Sequence, residues 1–402
     1  MTSIDLSDTQ WRVQPLTQVI VKVAASCNLN CTYCHIYQGA DHTSDRSPRL
    51  MTDAVFEALV ERVSRHCAAS GQEHVKLIFH GGEPCQAGPA RIDRWCQWAS
   101  QRLHDEVRVG FSIQTNGTLL DDDWAAVLAE HRVGIGVSLD GPPDLNDRAR
   151  IDHLGRGTHD AVIRGIDRLR TAGLEYSILS VIPFGIDPLE VHRHLLSLEP
   201  REISYLFPAE THDTVSEAKH AYGPTPCADF LVPVFDEWWF NGSMDLRVRE
   251  FWSIAQMILG GRSTTDAFGG GPVPFITVET DGAIHGTDKL RACEDGMSRT
   301  GLNVVNDDFT DVRRTRTIVA AAAAGLGPAP ACSGCAEVFT CGGGHLANRY
   351  SRAAGFDNRS VWCEDIRIVF DHIRRRLGVD AAETSRRRAL LQASAGREGS
   401  QA

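Results

Sequence analysis

The sequence predicts an α/β protein whose parallel sheet curls into a full or partial barrel, followed by a small cysteine-rich region. Three observations carry this reading. β-rich runs recur through the first half with helical patterns between them, which implies βα units and right-handed crossovers. The first run ends in three closely spaced cysteines, Cys27, Cys31 and Cys34. A second group, Cys332, Cys335, Cys341 and Cys363, lies far downstream.

In order, Thr17 to Ala24 (TQVIVKVA) is the first strand and delivers the cysteine loop at its C-terminal end, where barrel enzymes build their sites. Thr52 to His66 has helical apolar spacing at Val55, Phe56, Leu59, Val60 and Val63, with Thr52 or Asp53 as its cap. Strands are expected at Val75 to Phe79, Val107 to Gln114, Gly134 to Leu139, Tyr176 to Ile182 and Ile203 to Phe207, six in all with the first. A helix is expected from Gly155–Thr158 to about Ala172. Phe230 to Phe240 is a helix dense in aromatics, and Phe275 to Glu279 is β-rich again. The domain boundaries drawn from these patterns are an N-terminal extension at 1–16, a barrel at 17–208, a bridging helical region at 209–274, a cluster domain at 275–378 and a tail at 379–402, partly disordered.

A content of 42% hydrophobic and 23% charged residues over 402 positions supports a large core, as in an ordinary globular chain. A formal net charge of −11 argues against a duplex nucleic-acid binder, which needs a basic footprint. Residues 1 to 16 lack the basic start and apolar core of a signal peptide, and the Ala-rich run at 318–326 is too short to span a bilayer. Several of the twelve cysteines fall in tight groups rather than scattered pairs, which fits a reducing cytoplasm better than secretion.

Cysteines spaced by three and two residues can hold three corners of a [4Fe-4S] cube and leave one iron open for chemistry. Part of a zinc site, or buried thiols, would use the same residues. Other strand ends carry His80-Gly81-Gly82-Glu83-Pro84, Gln114-Thr115-Asn116-Gly117 and Ser138-Leu139-Asp140-Gly141-Pro142, each of which alone also reads as a turn. Arg148 and Arg150 follow, either with a fork for a carboxylate.

The CxxxCxxC triplet with Tyr33 before its last cysteine, followed by the Gly81-Gly82-Glu83-Pro84 element, resembles the radical S-adenosylmethionine (radical SAM) superfamily. The resemblance implies a partial (β/α)6 TIM-like barrel, a cluster whose open iron chelates SAM, and cleavage of SAM to a 5′-deoxyadenosyl radical. It assigns SAM contacts to Gly81, Gly82, Glu83, Asn116, Ser138 and Arg150. The family usually has a His-Asp pair where Asn146-Asp147 stands. The second group resembles a SPASM domain, implying one auxiliary [4Fe-4S] cluster on Cys332, Cys335, Cys341 and Cys363. His345 stands where a further cysteine is usual, Asn306 where another would follow Gly301, and Cys293 is the only obvious thiol left for a second cluster.

Thr211-His212-Asp213, the segment from Glu279 to Cys293, the run from Cys341 to Ser351, and Phe356-Asp357-Asn358 resemble maturases of ribosomally made peptides, most closely the branch that forms cyclophanes. That resemblance implies a precursor peptide as substrate, an external donor such as ferredoxin or flavodoxin, and no nucleic-acid or membrane partner. With only about sixteen residues before the first strand, leader recognition is expected from the barrel-to-SPASM surface or a separate leader-binding protein. Asp307 is the expected proton acceptor. Thioether formation, epimerisation and formylglycine formation are the rival reactions, and a non-catalytic iron-sulfur sensor or electron carrier is the rival class.

Overall fold

The computed structural model describes residues 16–103, 107–242, 245–263 and 265–398; almost all of the expected N-terminal extension lies outside them. In chain order the elements are β1 (Gln18–Ala24), α1 (Asp53–Ser70), β2 (His74–Gly81), α2 (Pro89–Leu103), β3 (Arg108–Thr115), α3 (Asp122–Glu130), β4 (Gly134–Ser138), α4 (Pro143–Ala149), α5 (His159–Thr171) and β5 (Tyr176–Val181). They continue with α6 (Pro188–Ser197), β6 (Glu202–Leu206), α7 (Ser216–Tyr222), α8 (Pro226–Asn241), β7 (Arg247–Val248), α9 (Arg249–Ile258), β8 (Phe275–Val278), β9 (Ala283–His285) and β10 (Arg299–Asn303). α10 (Ile318–Ala324), α11 (Val338–Cys341), α12 (Cys363–Leu377) and α13 (Ala381–Glu398) complete the chain.

Contacts divide the chain into two compact units, residues 1–178 with 272–325, and residues 179–271 with 326–402. In the first, the strand order is β10-β9-β8-β1-β2-β3-β4. β1 pairs in parallel with β2 (Val21 opposite Phe79) and with β8 (Val19 opposite Ile276), and β2 and β3 pair likewise. Val19, Val21 and Val23 on one face and Lys22 and Ala24 on the other are almost fully buried, as expected of a strand covered on both faces. α1 starts where the Thr52 hydroxyl accepts from Val55 N–H, and it ends at Gly71 in the left-handed conformation. Its buried Phe56, Leu59, Val60 and Val63 recur at helical spacing, and Phe56 stacks on Trp95 of α2 at 4.3 Å.

In the second unit β6 runs parallel to β7, and α8, α9 and α12 pack together. The buried Asp365 carboxylate accepts from Cys227 N–H and Ala228 N–H at the start of α8. This satisfies donors that a helix N-terminus otherwise leaves open.

All six expected barrel strands are present. The units divide at 271/272, within three residues of the boundary expected at 274, and also at 178/179 and 325/326, where no boundary was expected. β8 extends the first unit's sheet through its pairing with β1, so residues 275–325 belong to the first unit, while 326–378 belong to the second, as β6 does. The 379–402 tail is helical as α13 over most of its length. Among the described residues no helix is long and apolar enough to cross a membrane.

Candidate active site

The loop after β1 carries Cys27, Cys31 and Cys34. Its backbone is held by Asn30 N–H on the Ile151 carbonyl (2.8 Å), Thr32 N–H on the Ala149 carbonyl (2.9 Å) and Cys34 N–H on the Cys31 carbonyl (3.2 Å). Burial pushes the Cys27 thiol up to about 12, and the charges of Glu83, Cys31 and Cys34 add to this. Burial also raises Cys31, against the neighbouring Arg150 cation. Burial, the larger cause at both positions, disfavours a bare thiolate there unless a cation sits beside it. Three such sulfurs fit an iron-sulfur cluster with one iron lacking a protein ligand.

The glycines at the end of β2 are required by close approach. A Cβ on Gly81 would lie 2.2 Å from the Ala24 carbonyl oxygen, and one on Gly82 would lie 2.1 Å from the Tyr37 hydroxyl. Glu83 is 1% exposed. Its carboxylate accepts from the Thr115 hydroxyl (2.6 Å), Asn116 N–H (2.7 Å) and Cys85 N–H (2.9 Å). It therefore locks the ends of β2 and β3 together with three of its roughly four acceptor sites. The Asn116 amide donates to Asn28 Oδ1 at 2.9 Å and lies 3.8 Å from Cys27 Sγ, and Ser138 Oγ accepts from Gln114 at 3.0 Å.

Arg150 is buried beside the triplet. Its Nη1 donates to the Tyr33 hydroxyl at 2.8 Å, Tyr33 donates to Asp140 at 2.5 Å, and Arg150 Nε is buried without a partner. Arg148 is exposed, 4.0 Å from Asp144. Asp147 accepts from Thr158 N–H and His159 N–H, each at 2.8 Å, and so caps α5. Asp307 lies in the turn after β10, where its carboxylate accepts from Asn303 N–H at 2.8 Å.

Sequence reasoning missed a buried ionic network. Lys22, on β1, contacts Asp288 and lies 3.3 Å from His80 Nδ1. Arg291 contacts Glu279 (2.5 Å) and Asp41 (3.1 Å), and its Nε lies 3.8 Å from Asp288 Oδ1. Burial works against ionising Asp288, but Lys22, Arg291 and His80 hold its carboxyl well below the usual range. Burial lowers His35 and His80 to about 4. Asp288 Oδ1 is buried without a hydrogen-bond donor. The available signal was Lys22 itself, an ionisable residue in the middle of an apolar strand.

In the second unit Cys332, Cys335, Cys341 and Cys363 gather. Burial pushes Cys341 up to about 12, with the charges of Cys363 and Cys332 adding, and Cys363 feels Cys332 and Cys335. Cys363 and Cys341 each lie near enough to Cys332 to feel its charge, and Cys363 that of Cys335, which fits four ligands around a fully ligated cluster. Their loop is pinned by Glu337, which takes two bonds from Arg374 of α12 at 2.9 and 2.8 Å. Gly342 is in the left-handed conformation, and a Cβ there would lie 1.9 Å from the Gly270 nitrogen. His345 lies 3.6 Å from Asp266, an ion-pair contact in the place where a ligand was sought. Cys293 belongs to the other compact unit.

A barrel strand ending in three close cysteines, with a glycine-rich loop packed against the same strand end, is the arrangement expected of an iron-sulfur enzyme. The Radical SAM superfamily matches residues 21–197. A cysteine-type anaerobic sulfatase-maturating enzyme from Clostridium perfringens (strain 13 / Type A) is 30% identical over 281 residues, 68% of this chain and 74% of the relative. A serine-type anaerobic sulfatase-maturating enzyme from Klebsiella aerogenes is 28% identical over 227 residues, 56% of this chain and 54% of the relative. Among solved structures, anSMEcpe with bound AdoMet and a peptide superposes with a TM-score of 0.75 at 23% identity, covering 90% of this chain and 97% of that one. Streptococcus suis SuiB bound to precursor peptide SuiA gives 0.59 at 14% identity, covering 88% and 76%.

The chain belongs to the radical SAM superfamily. It is a radical SAM enzyme with a partial barrel and a SPASM-like C-terminal region, and its cofactors are a [4Fe-4S] cluster, SAM and an auxiliary cluster.

Proposed function

We propose that this enzyme matures a ribosomally made precursor peptide by joining an aromatic ring carbon to the β-carbon of a nearby residue. The observation carrying this reading is that three of the four maturase-like segments, those at 211–213, 341–351 and 356–358, are tied together by hydrogen bonds. His212 N–H donates to the Tyr350 carbonyl and Arg352 N–H to Asp213, each at 2.9 Å. Asn358 donates to the Arg349 carbonyl (2.9 Å) and to Ser351 (3.1 Å), while Asn348 reaches the Glu210 carbonyl at 2.7 Å. These motif residues act as one folded device around the auxiliary cysteines.

When bound, the triplet cluster with SAM supplies a 5′-deoxyadenosyl radical, and the auxiliary cluster supplies an electron acceptor. The crosslink takes a hydrogen atom from the β-carbon, which leaves in 5′-deoxyadenosine. The new C–C bond then requires the ring to lose one proton and one electron. Asp307, in the turn after β10, is the proposed proton acceptor; Asp288, whose carboxyl Lys22 and Arg291 hold well below the usual range, is too weak a base for that role. Arg150 and Tyr33 hold the triplet loop, and Glu83 fixes the strand ends beneath it. A ferredoxin or flavodoxin would deliver the initiating electron, a separate leader-binding protein could present the peptide, and the free thiols suit a reducing cytoplasm.

The named relatives favour a second reading, oxidation of a Cys or Ser side chain to formylglycine, which also starts at a β-carbon. Reconstituted enzyme is to be incubated anaerobically with SAM, reductant, candidate precursor peptides and a Cys- or Ser-containing sulfatase-type peptide. A precursor lighter by two hydrogens, inert to hydrazine and with a fragment-resistant ring, is expected. A hydrazine-reactive carbonyl in the sulfatase-type peptide alone would replace the first reading with the second.

A further inference from the structure

In the second unit, a cavity of about 490 Å³ opens between the loop that follows β5 and the junction of α7 and α8. Its walls include Pro183, Pro188, Tyr222 and Phe230, and two carboxylates, Asp187 and Asp229, face it with no cation among the lining residues. Asp187 spends one oxygen accepting from Leu189 N–H at 2.9 Å to cap α6. Lys219, on the same helix as Tyr222, is turned onto the Trp362 ring instead, 5.7 Å from its centroid.

The aromatic wall is built in place. Tyr222 packs on Phe184 at 5.6 Å, and Phe184 on Trp362 at 5.9 Å. Gly185 has φ +70°, and a Cβ there would lie 2.8 Å from the Tyr222 ring. The cavity lies at the C-terminal end of a barrel strand, where such folds place their binding sites. Its volume is that of a small-ligand or peptide-side-chain site and exceeds the needs of one side chain.

We infer that this cavity is a peptide subsite that takes a basic side chain carried on an extended stretch. The aliphatic stem of an arginine or lysine would lie along Tyr222 and the prolines, its charge would meet Asp187 and Asp229, and an adjoining apolar residue would fill the remaining volume. The substrate class rests on the peptide-maturase reading; the charge preference rests on the cavity alone.

The test measures anisotropy of a fluorescein-labelled Gly-Pro-Arg-Leu-Pro-Gly peptide and of its Glu-for-Arg twin on reconstituted enzyme. The Arg peptide should bind about fivefold or more tightly than its twin, the gain of two exposed ion pairs, and the gap should shrink with salt. The double variant D187N/D229N should erase the gap while keeping the α6 cap, since Asn caps as well as Asp. G185A, which pushes Tyr222 inward, should weaken both peptides. Equal binding of the two peptides, or a gap that survives D187N/D229N, overturns the inference. If the gap appears as stated and no precursor is ever modified, the maturase reading fails and the subsite stands. If a basic precursor is modified with its KM unchanged in D187N/D229N, the subsite fails and the maturase reading stands.

Discussion

Replacing Lys22 by Met should destabilise the cluster-free protein far more than replacing its partner Asp288 by Asn. The network holds two cations, Lys22 and Arg291, against three carboxylates, Asp288, Glu279 and Asp41. Lys22 and Asp288 side chains are 3% and 13% exposed, and Arg291, Asp41 and Glu279 less than 5%. Removing Lys22 leaves three buried carboxylates facing one cation, and breaking a buried pair this way costs about 3–5 kcal/mol. Removing the charge of Asp288 instead leaves two cations and two carboxylates, with Lys22 still 3.3 Å from His80. That costs on the order of 1–3 kcal/mol, a lost charged hydrogen bond. For a unit of this size K22M should lower the melting temperature by about 10 °C and D288N by roughly half of that. The double variant K22M/D288L should recover most of the loss, because an apolar pair of similar volume is often no worse than a buried ion pair.

The assay is thermal unfolding by circular dichroism at neutral pH. The sign of the pH dependence follows from Asp288. Its carboxyl is held below the unfolded value of about 3.9, so its contribution is complete above that value and is lost as pH falls through the lower folded one. The ranking of the variants must therefore persist from pH 5 to pH 8. A D288N loss as large as that of K22M, or a K22M loss within about 2 °C of wild type, would refute the charge argument.

Two further outcomes follow from the sites. Cys31→Ala should remove about four iron atoms per chain and the SAM-dependent change in the reduced-cluster EPR signal, while Cys335→Ala should remove about the same iron and keep that change; iron analysis with EPR separates them, and loss of all iron from C31A would undo the assignment of two independent sites. His192, 1% exposed and 2.8 Å from the Tyr205 hydroxyl, is lowered by burial to about 4, so its contribution is present above the unfolded value near 6.5 and lost as pH falls towards 4. His192→Asn should shrink the stability lost over that interval by about 2–3 kcal/mol, and an unchanged acid limb in urea titrations would show that other groups control it.

The six barrel strands were legible because each is a short apolar run bounded by turn residues, and the triplet because three thiols within eight residues have few other uses. What the sequence concealed depends on long-range pairing. Nothing local in Phe275–Val278 says that this strand lies parallel to β1, yet that pairing makes residues 275–325 part of the first compact unit, while the cysteine group that follows them in sequence belongs to the second. The same pairing brings Asp288 and Arg291 to Lys22, so the ionic network appears only once β8 is placed.

The assigned SAM contacts show the same limit from the opposite side. Glu83 and Asn116, at strand ends, and Arg150, at the end of α4, do converge on the triplet. Their side chains are then committed to protein partners that no motif specifies: Glu83 to Thr115 and Asn116, Asn116 to Asn28, and Arg150 to Tyr33. A motif fixes which backbone positions meet, because strand order and turn geometry do that. It does not fix where each hydrogen bond goes, because most buried polar atoms take whatever partner the rest of the fold brings within reach. Arg150 makes the point most sharply: its sequence context offers a carboxylate fork, and the fold spends one arm on Tyr33 and leaves Nε buried without a hydrogen-bond partner.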